Sequence, residues 1–328
     1  MLLRLLVCFS AFIIAVPSLT LSARAAEEYP SRAITIVVPF APGGVTDLLA
    51  RVVGQKLGER FGYPVTILNK GGAGTLVAAV ATVNAPPDGY TLMLATGSTM
   101  SINTTLYKEL PYNPDTQLTP VALVASSPFL LITNPELPVK SVQDLIKLAK
   151  EKPGKLNYGT GGVGSTVSVL PALLKSMTGT QMNEVPYRGT TPALTDILAG
   201  HIEFMFVDIA TSEGVIKEKQ VRVLGISTAK RFEGLPDVPT IAESGVPGFE
   251  GDSWQMIVAP AKTPKEIVAK LNAAIADIVA MPEVRDRMIK LGTVPGRKET
   301  AEELRTFVNA ETVRWGKVLS DAGVAHSQ

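Results

Sequence analysis

The chain has 328 residues, 46% of them hydrophobic and 19% charged, which supplies apolar surface for about two domains and excludes a disordered chain. Its 31 basic and 30 acidic residues give a net charge of +1, so no basic field for binding nucleic acid is built. Two histidines, His201 and His326, and one cysteine, Cys8, lie far apart in the chain and leave no material for a His/Cys metal cluster or a Cys–His nucleophile pair.

Arg4 precedes an apolar run over residues 5–16, which Pro17 breaks and Ala23-Arg24-Ala25 follows. This is the layout of a cleaved export signal over residues 1–25, with an apolar core too short to span a bilayer. Cleavage after Ala25 leaves 29 basic and 30 acidic residues and no cysteine, so the exported fold stands on its core without disulfides.

Beyond the signal, β-branched runs alternate with helical periodicity. Residues 33–38 read as a strand, closed by Pro39 and the turn Pro42-Gly43-Gly44, and residues 46–61 carry Leu48, Leu49, Val52, Val53 and Leu57 at helical spacing. A strand over 65–68 leads to a glycine-rich loop over 70–75, an alanine-rich helix to Val83, and a strand over 91–95 ending at Thr96-Gly97-Ser98. A second set follows, with strands over 121–125 and 129–132, a helix over 141–150 with Ser141 as N-cap, and a short strand over 156–158. A helix over 165–177, strands over 184–187, 201–207 and 221–227, and a helix over 191–199 complete it. A strand over 254–259 and helices over 265–280, 283–291 and 300–319 close the chain. This order fits two α/β lobes, 27–124 plus the returning 253–328 and 125–252, each a mainly parallel sheet flanked by helices. The crossings near Ser126 and Ser253 would serve as hinges.

Gly159-x-Gly161-x-x-Gly164 follows a strand, opens a helix and has Glu184 some distance on, the spacing of a dinucleotide fingerprint. The lead-in Leu156-Asn157-Tyr158 is short and partly polar for a strand buried on both faces, which disfavours that reading. What survives is a glycine-lined helix N-terminus, suited to any small anion. Pro42-Gly43-Gly44 ahead of Thr46 and Asp47 repeats the arrangement, with a plain capped turn as its alternative. Thr96-Gly97-Ser98 adds a third polar loop at a strand's carboxyl end, where open α/β sheets bind ligands. There is no G-x-S-x-G elbow and no G-K-[ST] loop, and capping explains Asp47 and Asp208 more economically than acid–base work. Trp254 and Trp315 read as core or interface residues.

The chain resembles the substrate-binding proteins of tripartite tricarboxylate transporters, the Bug family, over essentially all of its mature length. The resemblance rests on Tyr29-Pro30-Ser31-Arg32, Val38-Pro39-Phe40-Ala41-Pro42-Gly43-Gly44 followed by Asp47, and Asp88-Gly89-Tyr90-Thr91-Leu92. It continues in Val185-Pro186-Tyr187-Arg188-Gly189, Leu235-Pro236-Asp237-Val238-Pro239-Thr240, and Pro260 through Thr263-Pro264. It implies a two-lobed periplasmic binding protein fold of type II that closes on a small organic acid and passes it to the membrane subunits of a transporter. No cofactor, metal or catalytic residue is expected, nor nucleic-acid binding, and the protein is expected to be a monomer. Ligand contacts are implied at Phe40, Pro42, Gly43, Gly44, Thr46 and Asp47, at Gly97 and Ser98, at Thr160, Gly161, Gly162, Ser165 and Thr166, and near Asp208. The chain departs from the family's usual pattern at Ser168, where histidine is common, at Met256, where glycine is common, and at Gly71-Gly72-Ala73-Gly74-Thr75, where Pro-Gly-Ala-Gly-Gly is common. The loops at 40–47 and 159–166 hold no Arg or Lys, so backbone amides and hydroxyls are expected to hold the carboxylate. Arg188 is the rival for that role. The sequence leaves open which acid is bound and whether Arg188 or Ser168 touches it. A secreted α/β enzyme acting on a small acid is the alternative reading, disfavoured because no nucleophile–base pair is present.

Overall fold

The run Ile34–Val38 becomes β1 because alternate residues fill two cores: Ile34, Ile36 and Val38 on one face and Val37 on the other. The computed structural model describes residues 28–161, 166–187 and 189–328, so the expected export signal lies outside the described residues. After β1 come α1 (Val45–Phe61), β2 (Val65–Asn69), α2 (Leu76–Val83), β3 (Thr91–Thr96), α3 (Asn103–Leu106), α4 (Pro114–Gln117) and β4 (Leu118–Ser127). One residue, Pro128, separates β4 from β5 (Phe129–Thr133), which belongs to another sheet. The chain continues through α5 (Val142–Glu151), β6 (Asn157–Thr160), α6 (Thr166–Thr178), β7 (Asn183–Pro186), α7 (Thr190–Leu198), β8 (Phe204–Asp208), α8 (Ile209–Lys217) and β9 (Arg222–Ile226). It returns as β10 (Ser253–Pro260), α9 (Lys265–Ala280), α10 (Pro282–Lys290), β11 (Val294–Pro295) and α11 (Ala301–Asp321).

The strands form a six-stranded sheet in the order β11-β4-β10-β3-β1-β2 and a five-stranded sheet in the order β7-β6-β8-β5-β9. Each carries helices on both faces, and the two-lobed α/β architecture is as the sequence implied. Within it the sheets are mixed rather than mainly parallel. β1 runs parallel to β2 and β3, and β6 parallel to β7 and β8, whereas β10 and β5 run against their neighbours. The cause is the crossing: β5 and β10 each enter a lobe from the cleft, while β1, β3, β6 and β8 deliver their carboxyl ends to it. A strand that starts where its neighbours finish must be antiparallel to them.

The strand expected over 201–207 starts later, at Phe204, because Gly200, at φ +76°, still closes α7. The His201 amide donates to Asp196 O there and the Gly200 amide to Ile197 O. Where the sequence shows a polar loop at Thr96-Gly97-Ser98, residues 98–102 form a π-helical turn buried throughout. Helix α11 starts with a capping box between Thr300 and Glu303 and spans about 30 Å. Its Leu304 and Val308 fill the first lobe's core, and its Trp315, Val318 and Leu319 fill the second's.

Two aspartates near the cleft respond to pH in opposite directions. A capping role at the start of α1 was expected for Asp47. Instead Gly44 is the N-cap without a side chain, and Asp47, 1% exposed, works from inside the first turn. It accepts the Gly43 amide at 2.9 Å, a two-pronged bond from Arg51 at 2.9 and 3.0 Å, and Asn69 Nδ2 at 3.0 Å. Burial by itself would raise its carboxyl, but these donors outweigh burial and hold it below the ordinary value. Asp252, at the return crossing, goes the other way: burial lifts it to about 6, Glu311 and Glu250 add to the rise, and the Ser126 hydroxyl and Arg314 oppose it.

Asp47 binds its proton less readily folded than unfolded, so its stabilisation is present at neutral pH and is lost as pH falls through the carboxylate range. Asp252 holds a proton that the unfolded chain has already released, so stability falls as pH rises from its ordinary value of 3.8 through about 6. In thermal denaturation, Asp47→Asn loses charged hydrogen bonds of about 1.5–3 kcal/mol at pH 7, and its deficit against wild type shrinks towards pH 3. Asp252→Asn keeps the acceptor for Ser126 and raises Tm at pH 7.5 by roughly 3–6 °C, with no gain at pH 4.

Candidate functional site

The carboxyl ends of β1, β3, β4, β6 and β8 and the starts of β5 and β10 meet at one cavity between the lobes, of about 960 Å³. Its first-lobe wall is residues 39–46 and Leu48, residues 72–75, Thr96 and Ser98. Its second-lobe wall is Gly161, Thr166, Val167, residues 189–191, Asp208, Ala210 and Thr211. Ser127, Phe129, Ser253 and Gln255 close the floor where the chain crosses.

Five helices begin at this cavity. Gly44 precedes α1, Thr75 precedes α2, Thr166 opens α6, Gly189 precedes α7 and Asp208 precedes α8. The first-turn amides of a helix have no acceptor within it, and the aligned peptide dipoles leave about half a positive charge there. Among the described residues lining the cavity there is no Lys, Arg or His, and Asp208 is the one charged side chain. Its oxygens accept the Thr211 amide at 2.8 Å and the Thr211 hydroxyl at 2.8 Å, so the carboxylate serves as the N-cap of α8. The cavity therefore offers neutral donors and helix ends to a ligand.

The loop walls are held from behind. Asn69 Nδ2 donates to Phe40 O at 3.0 Å, and Asp47 takes the Gly43 amide, which fixes the turn ahead of α1 and removes that amide from the donors left for a ligand. Ala73 and Thr75 have φ of +45° and +83°, which side-chain-bearing residues adopt at a cost. Asn103 Nδ2 on Gly74 O at 2.9 Å and the Thr99 hydroxyl on Thr75 Oγ1 at 2.9 Å impose that conformation. On the floor, Gln255 is 2% exposed and its Nε2 donates to Ser127 Oγ at 3.0 Å. The neighbouring Thr96 hydroxyl is buried without a partner.

Of the residues singled out from sequence, Phe40, Pro42, Gly43, Gly44, Thr46, Ser98, Gly161, Thr166 and Asp208 come together on the cavity. Asp47, Gly97 and Thr160 stand one layer behind it. Gly97 lies against the Trp254 indole, and a Cβ there would sit 3.3 Å from Nε1. Thr160 is fully buried, and its hydroxyl donates to Glu184 Oε1 at 2.8 Å. That bond accounts for the acid of the dinucleotide-like spacing. Gly162, Ser165 and Arg188 lie outside the described residues. Sequence reasoning marked residues 70–75 as a glycine-rich loop and 71–75 as a departure from the family pattern, but did not count them among the ligand contacts, although they follow the carboxyl end of β2 just as the recognised loops follow theirs. It also passed over residues 189–191 and Thr211 at two helix starts, and Ser127, Phe129, Ser253 and Gln255 on the antiparallel crossing strands, where the rule for parallel strand ends has no purchase.

Known proteins share this fold. The chain matches the profile of the tripartite tricarboxylate transporter family receptor over residues 49–324. It is 33% identical to Protein BugT of Bordetella pertussis over 299 residues, covering 91% of each chain. It resembles the solved structure of Rhodopseudomonas palustris Rpa4515 with adipate, at a TM-score of 0.83 and 38% identity, over 91% of this chain and 99% of that one. It also resembles MatC (Rpa3494) from Rhodopseudomonas palustris with bound malate, at a TM-score of 0.78 and 34% identity, over 89% of this chain and 100% of that one. The chain thus belongs to the tripartite tricarboxylate transporter receptor family, among the Bug solute-binding proteins.

Proposed function

We propose that the protein is a periplasmic receptor that captures a small carboxylate between its lobes and presents it, chemically unchanged, to the membrane subunits of a tripartite tricarboxylate-type transporter. The observation that carries this reading is the convergence of five helix N-termini on a cavity whose described lining has no cation. Adipate in Rpa4515 and malate in MatC are both carboxylates, in agreement with it. Residues 1–25 export the chain and are removed, and the receptor works as a monomer.

In this reading Phe40, Pro42, Gly44, Thr46, Ser98, Gly161, Thr166 and Asp208 meet the ligand, joined by Gly162 and Ser165. Gly43, Asp47, Gly97 and Thr160 shape the walls. A partly buried helix end contributes up to ~2 kcal/mol to an anion, and a hydrogen bond to a charged acceptor ~1.5–3 kcal/mol. A few of each reach micromolar affinity, about −8.2 kcal/mol, without a full countercharge. A short-chain acid fills only part of 960 Å³, so capture requires the lobes to approach by bending near Ser126 and Ser253.

Titration calorimetry of the purified protein against a panel of mono-, di- and tricarboxylates tests the reading. One acid is expected to bind at micromolar level or tighter and to be recovered unchanged. Thr166→Ala, which removes a hydroxyl at the start of α6, weakens it about tenfold, or about 1.4 kcal/mol. Turnover of the bound acid would replace the receptor reading with the enzymatic one.

A further inference from the structure

Both tryptophans of the chain end on one oxygen. Trp254 Nε1 donates to Glu311 Oε2 at 3.2 Å and Trp315 Nε1 to the same atom at 3.0 Å. Both indoles are 1% exposed and Glu311 is 7% exposed. The second oxygen, Oε1, takes Arg314 Nη1 at 2.9 Å, and Arg314 Nη2 donates to Glu250 O. One buried carboxylate thus has both oxygens filled, and Arg314 links it to the segment in which the chain returns from the second lobe.

The two indoles face different walls of the cleft. Trp254 belongs to β10 and the first lobe's core, and its Nε1 edge lies against Gly97, next to the cavity residues Thr96 and Ser98. Trp315 belongs to the second lobe's core, and it flanks Gly251 together with Leu170. Leu170 sits one turn into α6, the helix whose Thr166 and Val167 line the opposite wall. Gly251 itself lies two residues before β10, in the crossing. A shift of either indole must break a charge-assisted hydrogen bond on Oε2 or drag the other indole with it.

We propose that Glu311 is a positioning residue of the cleft, its Oε2 holding Trp254 and Trp315 so that the turn at residues 96–102 and the start of α6 move together. The role rests on the receptor reading only for its consequence, which is that a ligand touching one wall sets the other. It also makes the tryptophan emission of the whole protein a report on this one junction, because the chain has no other tryptophan.

Hydrogen exchange of the full mature chain without ligand, compared between variants, tests the coupling. Glu311→Ala leaves two buried indole donors unpaired, and exchange is expected to rise about tenfold both at residues 96–102 and at 170–174, while β1 and β2 stay within about threefold. Glu311→Gln keeps an oxygen that accepts both indoles and should stay near wild type at both segments. Trp254→Phe should loosen residues 96–102 and spare 170–174, and Trp315→Phe the reverse. These two variants decide the matter even if Glu311→Ala fails to fold. Uniform loosening across the chain, loosening at neither segment, or Glu311→Gln behaving like Glu311→Ala would overturn the proposal. In a separate arm with adipate as probe, wild type is expected to show a ligand-induced emission change that the two Trp→Phe variants and Glu311→Ala reduce. Wild type that binds neither adipate nor any other carboxylate sinks the receptor reading, while the coupling is still judged on exchange alone.

Discussion

Strand-to-helix order fixes the charge of the cleft. Residues that follow β1, β2, β6, β7 and β8 line the cavity, and α1, α2, α6, α7 and α8 each begin there. Every β–α step turns the positive end of a helix dipole and its unbonded amides towards the same space. Glycines stand at four of these five junctions, at Gly43 and Gly44, Gly72 and Gly74, Gly161, and Gly189, whereas β8 passes straight into α8. At Gly161 a Cβ would lie 3.1 Å from Val167 Cγ2 and 3.2 Å from Thr190 Cγ2, two residues that open neighbouring helices. Nothing in the overall net charge of +1 announces an anion site, because the positive potential comes from backbone geometry.

A site of this kind needs a rigid wall, since an amide displaced by an ångström donates poorly. Asp47 supplies that rigidity at α1 by joining the Gly43 amide, Asn69 and Arg51 around one buried carboxylate. Thr75 and Ala73 supply it at α2 through a backbone conformation that Thr99 and Asn103 impose. In both places buried polar groups are satisfied from behind, which leaves the front surface free of countercharge. An arginine on that surface would bind an acid through a strong two-pronged bond, whereas the neutral donors of the described lining would share the task over many weaker contacts, each sensitive to lobe position.

The lobes and the loops at strand ends were legible in the sequence because β-branched runs, glycine turns and helical periodicity are local signals. The directions of β5 and β10 were not. The crossings were expected near Ser126 and Ser253, but composition there does not say which way the next strand enters its sheet. The π-helical turn at Ser98–Ile102 was hidden for a similar reason: Ser-Thr-Met-Ser-Ile has no period of its own. Its shape comes from Tyr112 on Thr99 O at 2.7 Å, Thr99 on Thr75 and Thr312 on Ser101 Oγ at 3.2 Å, all distant in sequence. Glu311 was invisible as well. A single glutamate on an amphipathic helix reads as surface until the two indoles that reach it are placed.

Closure sets the remaining constraint. A ligand shifts an open–closed equilibrium only by its difference in affinity for the two states, and a swing from 1:99 to 99:1 requires about 5.5 kcal/mol. On the receptor reading proposed above, an open arrangement would offer a carboxylate one wall, either α1 and α2 or α6, α7 and α8. Only closure adds the other set. Two or three helix ends at up to ~2 kcal/mol each, with hydrogen bonds to a charged acceptor, are of the size that swing demands. Distributing the donors across both lobes therefore does more than a single strong clamp could. A clamp confined to one lobe binds tightly in both states and moves nothing, whereas under the proposed receptor cycle a cleft divided between five helices would convert the affinity for an anion into movement of the lobes.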